Sequence, residues 1–423
     1  MARTQRDDRT VLAAPRSASR RRKILYVALL LVLVPVAVEI LLRLFYGASE
    51  MRQAYNWYVG THLVDLSYPE FLHRQERIQA VRVALGMERG RSHPVFGWTY
   101  NPGFRIDIDG LQIHINSHGL RGEDFPEKKP PGEIRILCLG GSTTAGEDVG
   151  EAETYPAQLQ AILRARYPDL SLRVINAGVP SYDVPHSLLD YELRLNRFEP
   201  DIVTIYHAIN DLFIYHAAGG PEIQPVHNYS GRRLEPWIQE ADPGDEGWFL
   251  RHLVVSHSYV LRLLASTYRQ LKPRAGMTSP NPGGIATFAA YYRALVRQIR
   301  ATGATPVPMT FALAYPGTFD DADAEKIRQS FGTWITNGYM RPEVGKQVID
   351  AENHATVELA GEEEVPVCDV ASAVPPDREH FIDVCHLRAA GNQRIAEALA
   401  RTLAPLLEAR GRKARTGTGG FSG

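Results

Sequence analysis

The chain has 423 residues, 44% hydrophobic and 22% charged, with 47 Lys and Arg against 48 Asp and Glu. This is the balance of a globular protein, and it excludes a disordered polymer, a collagen-like chain and a wholly basic nucleic-acid binder. Three cysteines, Cys138, Cys368 and Cys385, are too few for a disulfide framework or a four-thiolate zinc site.

The N-terminus departs from that average. Residues 1–23 hold eight Arg or Lys against Asp7 and Asp8, a net charge of +6, and read as a basic cytoplasmic tail. Ile24 to Phe45 is apolar but for Tyr26, Pro35, Glu39 and Arg43. About 22 residues rising about 1.5 Å each span the roughly 30 Å hydrocarbon layer. Residues 24–46 are therefore expected to form one transmembrane anchor, with the basic cluster in the cytoplasm and the rest of the chain on the far side. A cleaved signal peptide is the rival reading, but Tyr46-Gly47-Ala48 sets Tyr where its cleavage site wants a small residue.

Residues 48–132 read as a stalk and a small β-hairpin module. The first part, 48–92, is mixed and is expected as a helical stalk or collar. Phe104, Ile106 and Ile108, then Leu111, Ile113 and Ile115, alternate with polar residues around Asp109-Gly110, a hairpin signature. Lys128-Lys129-Pro130-Pro131-Gly132 marks a linker.

Residues 133–408 form the main domain. Short apolar runs at Ile134–Leu139, Leu172–Ile175, Ile202–Tyr206, Pro306–Thr310 and Val365–Val370 alternate with amphipathic stretches such as Tyr155–Arg166, Ser187–Leu195 and Phe288–Ile299. That alternation predicts βαβ units and a parallel sheet covered on both faces, with functional residues just past the carboxyl ends of its strands. Residues 217–282, rich in Pro, Gly and Trp, break the pattern and read as an insertion. Trp237 and Trp248 there could stack on sugar rings or pack on each other. Residues 409–423 are polar and Gly-rich and are expected as a disordered tail.

Four strand-end segments carry candidate chemistry. The first strand runs into Gly140-Gly141-Ser142-Thr143-Thr144-Ala145-Gly146-Glu147-Asp148. The two acids after Gly146 would repel phosphate, so this is not a nucleotide loop, and Thr144 breaks the G-x-S-x-G elbow. Ser142 is either a helix cap or a nucleophile served by a His and a carboxylate. Asp383-Val384-Cys385-His386 supplies that pair, with His386 as base and Asp383 to orient it. Gly178, in Asn176-Ala177-Gly178, allows close backbone approach and an N–H toward an anion, and the Asn210 amide of Asn210-Asp211 is a second donor. Asp211 reads as an orienting or capping residue. Cys138 and Cys385 read as packing groups. The 14 histidines include no His-Glu-x-x-His, so no metal site is indicated.

Taken in order, these segments resemble the four blocks of the SGNH/GDSL hydrolase superfamily over roughly residues 133–405: Gly141-Ser142-Thr143, Gly178, Asn210-Asp211 and Asp383-Val384-Cys385-His386. Gly141 stands where the eponymous motif has Asp, and Ala208 replaces the glycine usual two residues before the Asn. Gly97-Trp98, Asn116-Ser117 and Gly119-Leu120-Arg121-Gly122 are similar to segments of membrane-anchored bacterial members. The resemblance implies an α/β, flavodoxin-like three-layer sandwich with about five parallel strands. It also implies a Ser142, His386, Asp383 triad, an oxyanion hole of the Ser142 N–H, Gly178 N–H and Asn210 amide, and no cofactor or metal.

The expected protein is a single-pass inner-membrane serine esterase with its catalytic domain in the bacterial periplasm or outside. It would cleave O-acyl esters, O-acetyl among them, of a cell-envelope glycan, or a small ester, and bind no nucleic acid. An O-acyltransferase resolving the same acyl-serine with a sugar hydroxyl, and a non-catalytic envelope assembly factor, are the alternatives.

Overall fold

The computed structural model describes residues 20–85, 90–93, 96–108, 111–212, 278–331 and 341–417. The hairpin turn Asp109-Gly110, Trp237, Trp248 and residues 217–277 of the expected insertion lie outside them. The chain divides into two units, Met1–Arg52 with Ala241–Lys272, and Gln53–Glu240 with Pro273–Gly423.

The first unit is described by Arg20–Arg52, part of the helix α1 (Arg20–Thr61). Its Arg22–Leu41 stretch has a mean hydropathy of 2.8 and no buried side chain among the described ones, and is long and apolar enough to cross a membrane. Length and composition of this kind suit an anchor or a signal sequence.

In the second unit α1 gives way at His62 to a short connection and then to α2 (Tyr68–Leu85). Two hairpins follow. β1 (Gly90–His93) pairs with β2 (Gly97–Tyr100), and β3 (Arg105–Ile108) with β4 (Leu111–His114), placing Ile106 opposite Ile113. Their inward side chains, Trp98, Tyr100, Phe104, Ile106 and Ile113, form a cluster that also takes in Val179 and Tyr182 of the main domain. The β1–β2 pair carries no alternating apolar pattern that sequence could disclose.

The main sheet is parallel, in the order β6 (Ser171–Gly178), β5 (Glu133–Gly140), β7 (Ile202–Tyr206), β8 (Thr305–Pro308). Every residue of β5 is buried. Ile134, Ile136 and Cys138 point into the core under α4 (Tyr155–Arg166) and the helix Ala389–Gly417, and Leu137 and Leu139 into the opposite core under the helix Pro282–Ala301. A parallel sheet covered on both faces buries both sets of side chains, which is why these strands read as continuous apolar runs.

Among the described residues four strands are fully paired, where about five were expected. The fifth run reaches its place beside β8 but forms a single bridge, Met309 with Cys368. Alternation along β8 explains this. Thr305 and Met309 donate their N–H groups to Asp201 and Ile205 on the β7 side, so residues 306, 308 and 310 face outward. Two of those three are Pro306 and Pro308, which have no N–H to give. Thr310 supplies the first outward donor, to the Cys368 carbonyl, 3.0 Å.

The C-terminal helix runs on through Gly417, including residues 409–417 that composition assigns to a tail. Arg410 holds it, donating to Asp201 Oδ1 at 2.9 Å and to the Asp201 carbonyl at 3.1 Å.

Candidate active site

With β5 central and connections leaving it to both sides, the strand order reverses between β5 and β7. Open α/β sheets form their ligand crevice at that point, past the carboxyl ends of the strands. Ser142 follows β5 after the single residue Gly141, as the first residue of α3 (Ser142–Ala145), and Asn210 follows β7.

The tight exit from β5 depends on absent side chains. A Cβ on Gly140 would stand 2.0 Å from Thr144 Oγ1, and one on Gly141 2.6 Å from Asn210 Nδ2. A side chain at 141, where the motif has Asp, would need Asn210 to shift. The turn is also held from outside the sheet. Arg121, 4% exposed, donates to the carbonyls of Ala145 (2.7 Å), Gly146 and Val149 (2.7 Å), and to that of Gln112 (3.0 Å). One buried guanidinium thus satisfies the free carbonyls at the end of the turn that begins with Ser142. The run Gly119-Leu120-Arg121-Gly122, seen in the sequence only as a family likeness, acquires this supporting role.

Ser142, His386 and Asp383 are brought into one line. His386 Nε2 is 2.8 Å from Ser142 Oγ, and His386 Nδ1 is 2.8 Å from Asp383 Oδ2. Asp383 Oδ1 accepts from the N–H groups of Cys385 (2.8 Å) and His386 (2.7 Å), so the D-x-x-H spacing closes a small loop on its own aspartate. Burial alone would raise the Asp383 carboxyl, but the charge of His386, its hydrogen bond and the charge of His62 bring it down to about 2. Burial opposes charge on His386 as well. Asp383 first, then Cys385, outweigh it and raise His386 well above its ordinary value.

The expected oxyanion donors are placed differently from one another. The Ser142 N–H donates to no atom among the described residues, and Asn210 Nδ2 gives one hydrogen to the Tyr182 carbonyl at 2.9 Å, leaving its second. The Gly178 N–H is engaged, donating to Asn176 Oδ1 at 3.0 Å. Gly178 is small for packing reasons, since a Cβ there would meet Ala145 N at 2.3 Å.

The backbone offers another donor three residues on. Val179-Pro180-Ser181-Tyr182 is a turn closed by Tyr182 N–H to the Val179 carbonyl, 3.1 Å, with Ser181 at φ 65°. Pro at the second position and a left-handed third residue define a type II turn, in which Gly is the usual third residue. The exposed Ser181 bears an N–H that donates to no atom among the described residues. Its neighbour's carbonyl, Tyr182 O, is 3.1 Å from where a Cβ on Gly141 would stand, which sets the turn beside the nucleophile exit. Pro180 was the sequence signal for that turn.

Other groups are accounted for structurally. Asp211 Oδ1 accepts from the Val184 N–H at 3.0 Å, at the start of α5 (Val184–Asp190), and burial, then Asp183, raise its carboxyl well above the usual range. A second Ser–His contact, Ser187 Oγ to His207 Nε2 at 2.7 Å, is sealed in the core, where burial lowers His207 to about 4. Asp383, Cys385 and His386 bring three ligand-type atoms within 4.8 Å. Burial pushes the Cys385 thiol up to about 11, and the other two groups are hydrogen-bonded to each other within the line that ends on Ser142. Cys138 is fully buried in β5, its thiol raised to about 12 by burial.

The model of the GDSL-like lipase/acylhydrolase family matches residues 138–394. No curated protein matches the chain. Among solved structures, it is similar to a variant of the acetyl xylan esterase Axe2 from Geobacillus stearothermophilus, at 17% identity and TM-score 0.37, covering 64% of this chain and 94% of the other. It is similar also to LAE5, an alpha/beta hydrolase enzyme from the metagenome of Lake Arreo, Spain, at 17% identity and TM-score 0.37, covering 64% and 95%. The family match spans more than half of the sequence and every one of the four blocks, and the chain accordingly belongs to the GDSL-like lipase/acylhydrolase family, as an ester-hydrolysing serine hydrolase.

Proposed function

We propose that this esterase is anchored in a bacterial inner membrane by Ile24–Phe45, faces the periplasm or exterior, and removes O-acyl groups, O-acetyl among them, from envelope glycans through a Ser142–His386–Asp383 triad. The observation that carries the catalytic part is the pair of 2.8 Å contacts linking Ser142 Oγ, His386 and Asp383. The address rests on the basic residues 20–23 abutting an apolar span, which retain that end in the cytoplasm.

In this reading His386 Nε2 takes the proton as Ser142 Oγ attacks the ester carbonyl. The oxyanion is received by the Ser142 N–H, the second Asn210 hydrogen and the Ser181 N–H, each such donor lowering the barrier by roughly 3 kcal/mol. His386 returns the proton to the leaving sugar oxygen, and water repeats the sequence on the acyl-serine. Asp383 holds the proton of His386 on Nδ1, leaving Nε2 free to accept.

Only neutral His386 can act as base, and its pKa is raised. Activity is lost as pH falls through that raised value, so the acid limb of kcat/KM should lie above about pH 6.5, the ordinary imidazole value. A plateau already reached below it would contradict the pairing.

The test of the function uses the full chain in detergent. A fluorophosphonate probe should label it, and acetate should be released from O-acetylated oligosaccharides with a kcat/KM at least about 10-fold above that for p-nitrophenyl acetate, the sign of binding energy drawn from the sugar. Absence of labelling refutes the serine nucleophile. Labelling with small-ester cleavage but no action on acetylated glycans refutes the substrate assignment alone.

A further inference from the structure

The row of polar groups does not stop at the aspartate. On its far side is His62, from the segment that follows α1, 8% exposed and with Nε2 3.7 Å from Asp383 Oδ2, the same oxygen that accepts from His386. His62 Nδ1 lies 2.9 Å from the Tyr58 carbonyl and 2.9 Å from Thr61 Oγ1. The carbonyl accepts and the hydroxyl can do either, so Nδ1 is served in both tautomers, and Nε2 is the nitrogen turned to the Asp383 carboxylate.

The ring is held where it is. It stacks on Tyr58 at a centroid distance of 4.2 Å and an angle of 24°. Leu63, the next residue, is fully buried and bonded at both backbone ends, its N–H to the Ile382 carbonyl at 2.6 Å and its carbonyl to Arg388. The segment carrying His62 is thereby fastened to residues on either side of Asp383 in the chain.

We infer that His62 is a positioning residue of this esterase, a ring that backs the distal side of Asp383 and so fixes the carboxylate that orients His386. The inference rests on the triad reading above.

The other groups near this line are defined. Asp148 Oδ2 is 3.9 Å from His386 Nδ1, and Cys385 Sγ is 3.9 Å from the same nitrogen. A recess of about 440 Å³ is lined by Leu63 together with Tyr58, Arg74, Arg378 and Arg388. Arg378 is paired with Asp65 and Asp323, and Arg388 donates to the carbonyls of Arg378 and Phe381. All of them persist when His62 alone is replaced, so a change in kcat reports on His62.

The experiment measures kcat and KM for p-nitrophenyl acetate on the full chain. His62→Gln removes the ring that backs Asp383 and should lower kcat several-fold with KM unchanged. In an Asp383→Asn background, His62→Gln should lower kcat no further, because the effect passes through the carboxylate. A folded His62→Gln protein with parental kcat, or an equal loss in the Asp383→Asn background, overturns the inference. Should His62→Gln fail to fold, Tyr58→Leu decides, since it removes the ring stacked on His62 and leaves the three catalytic groups in place: a several-fold loss of kcat with KM unchanged is the expected result, and an unaltered kcat overturns the inference. Retained hydrolysis in Ser142→Ala would instead defeat the triad itself, which separates the two failures.

Discussion

Ser142→Ala should lower kcat for ester hydrolysis by about 10⁴-fold or more while leaving the fold and its stability within about 1 kcal/mol of the parent. The side chain is half-buried at the start of α3, and its hydroxyl has one partner among the described residues, His386 Nε2. Removing it leaves a small pocket and frees an imidazole that retains Asp383 on its other side. Asp383→Asn should be milder by about two orders of magnitude, as orienting residues are in comparable triads. Its loss has a definite cause. The carboxylate accepts two backbone N–H groups on Oδ1 and one ring N–H on Oδ2. An amide must keep its oxygen toward the two backbone donors, which turns its NH₂ toward His386 Nδ1. That nitrogen must then accept, the ring proton moves to Nε2, and the base is lost without disturbance of the loop. Unimpaired hydrolysis by Ser142→Ala, measured with a spectrophotometric ester and checked by circular dichroism, would remove Ser142 from the mechanism. An Asp383→Asn enzyme as fast as the parent would remove the orienting role.

The central strands were legible because both faces of a parallel sheet are apolar, and Tyr155–Arg166 because its apolar residues recur at helical spacing. Ser142 and His386 lie 244 residues apart in the chain, yet the order of small-residue turns at strand ends brought both to notice. Three features were not legible. Strand pairing depends on which side of β8 each N–H faces, so the effect of Pro306 and Pro308 on the fifth strand appears only once register is known. Gly178 fits a donor motif by spelling, although its N–H is used by Asn176 and its missing side chain makes room for Ala145. His62 belongs to no motif: it ends a helical segment far upstream, and its relation to Asp383 comes entirely from the packing of Leu63 against the Ile382 backbone.

The distinction between Gly178 and Ser181 leads to the other large effect. Gly178→Ala should destabilise the protein by roughly 3 kcal/mol and reduce activity by about 100-fold or more. The added Cβ would lie 2.3 Å from Ala145 N, 2.6 Å from the Thr144 carbonyl carbon and 2.8 Å from Thr144 Cβ. Two of those three atoms are backbone, and no flexible side chain is available to yield. The relief must come from α3, which carries Ser142, or from β6, which is paired with β5 along its whole length. Since β6 is locked by that ladder, α3 moves, and a displacement near 1 Å takes Ser142 Oγ away from His386 Nε2. Ser181→Gly should act in the opposite direction. Ser181 sits at φ 65°, a conformation that strains a residue with a Cβ by about 1 kcal/mol, and glycine adopts it freely while keeping the N–H in place. That variant should be as active as the parent and equally or more stable. Urea unfolding and kcat on a small ester test the pair together. A Gly178→Ala protein with parental stability and rate would show that α3 and β6 can part without consequence, and a Ser181→Gly protein with lowered kcat would show that the serine side chain, and not only its backbone, serves the site.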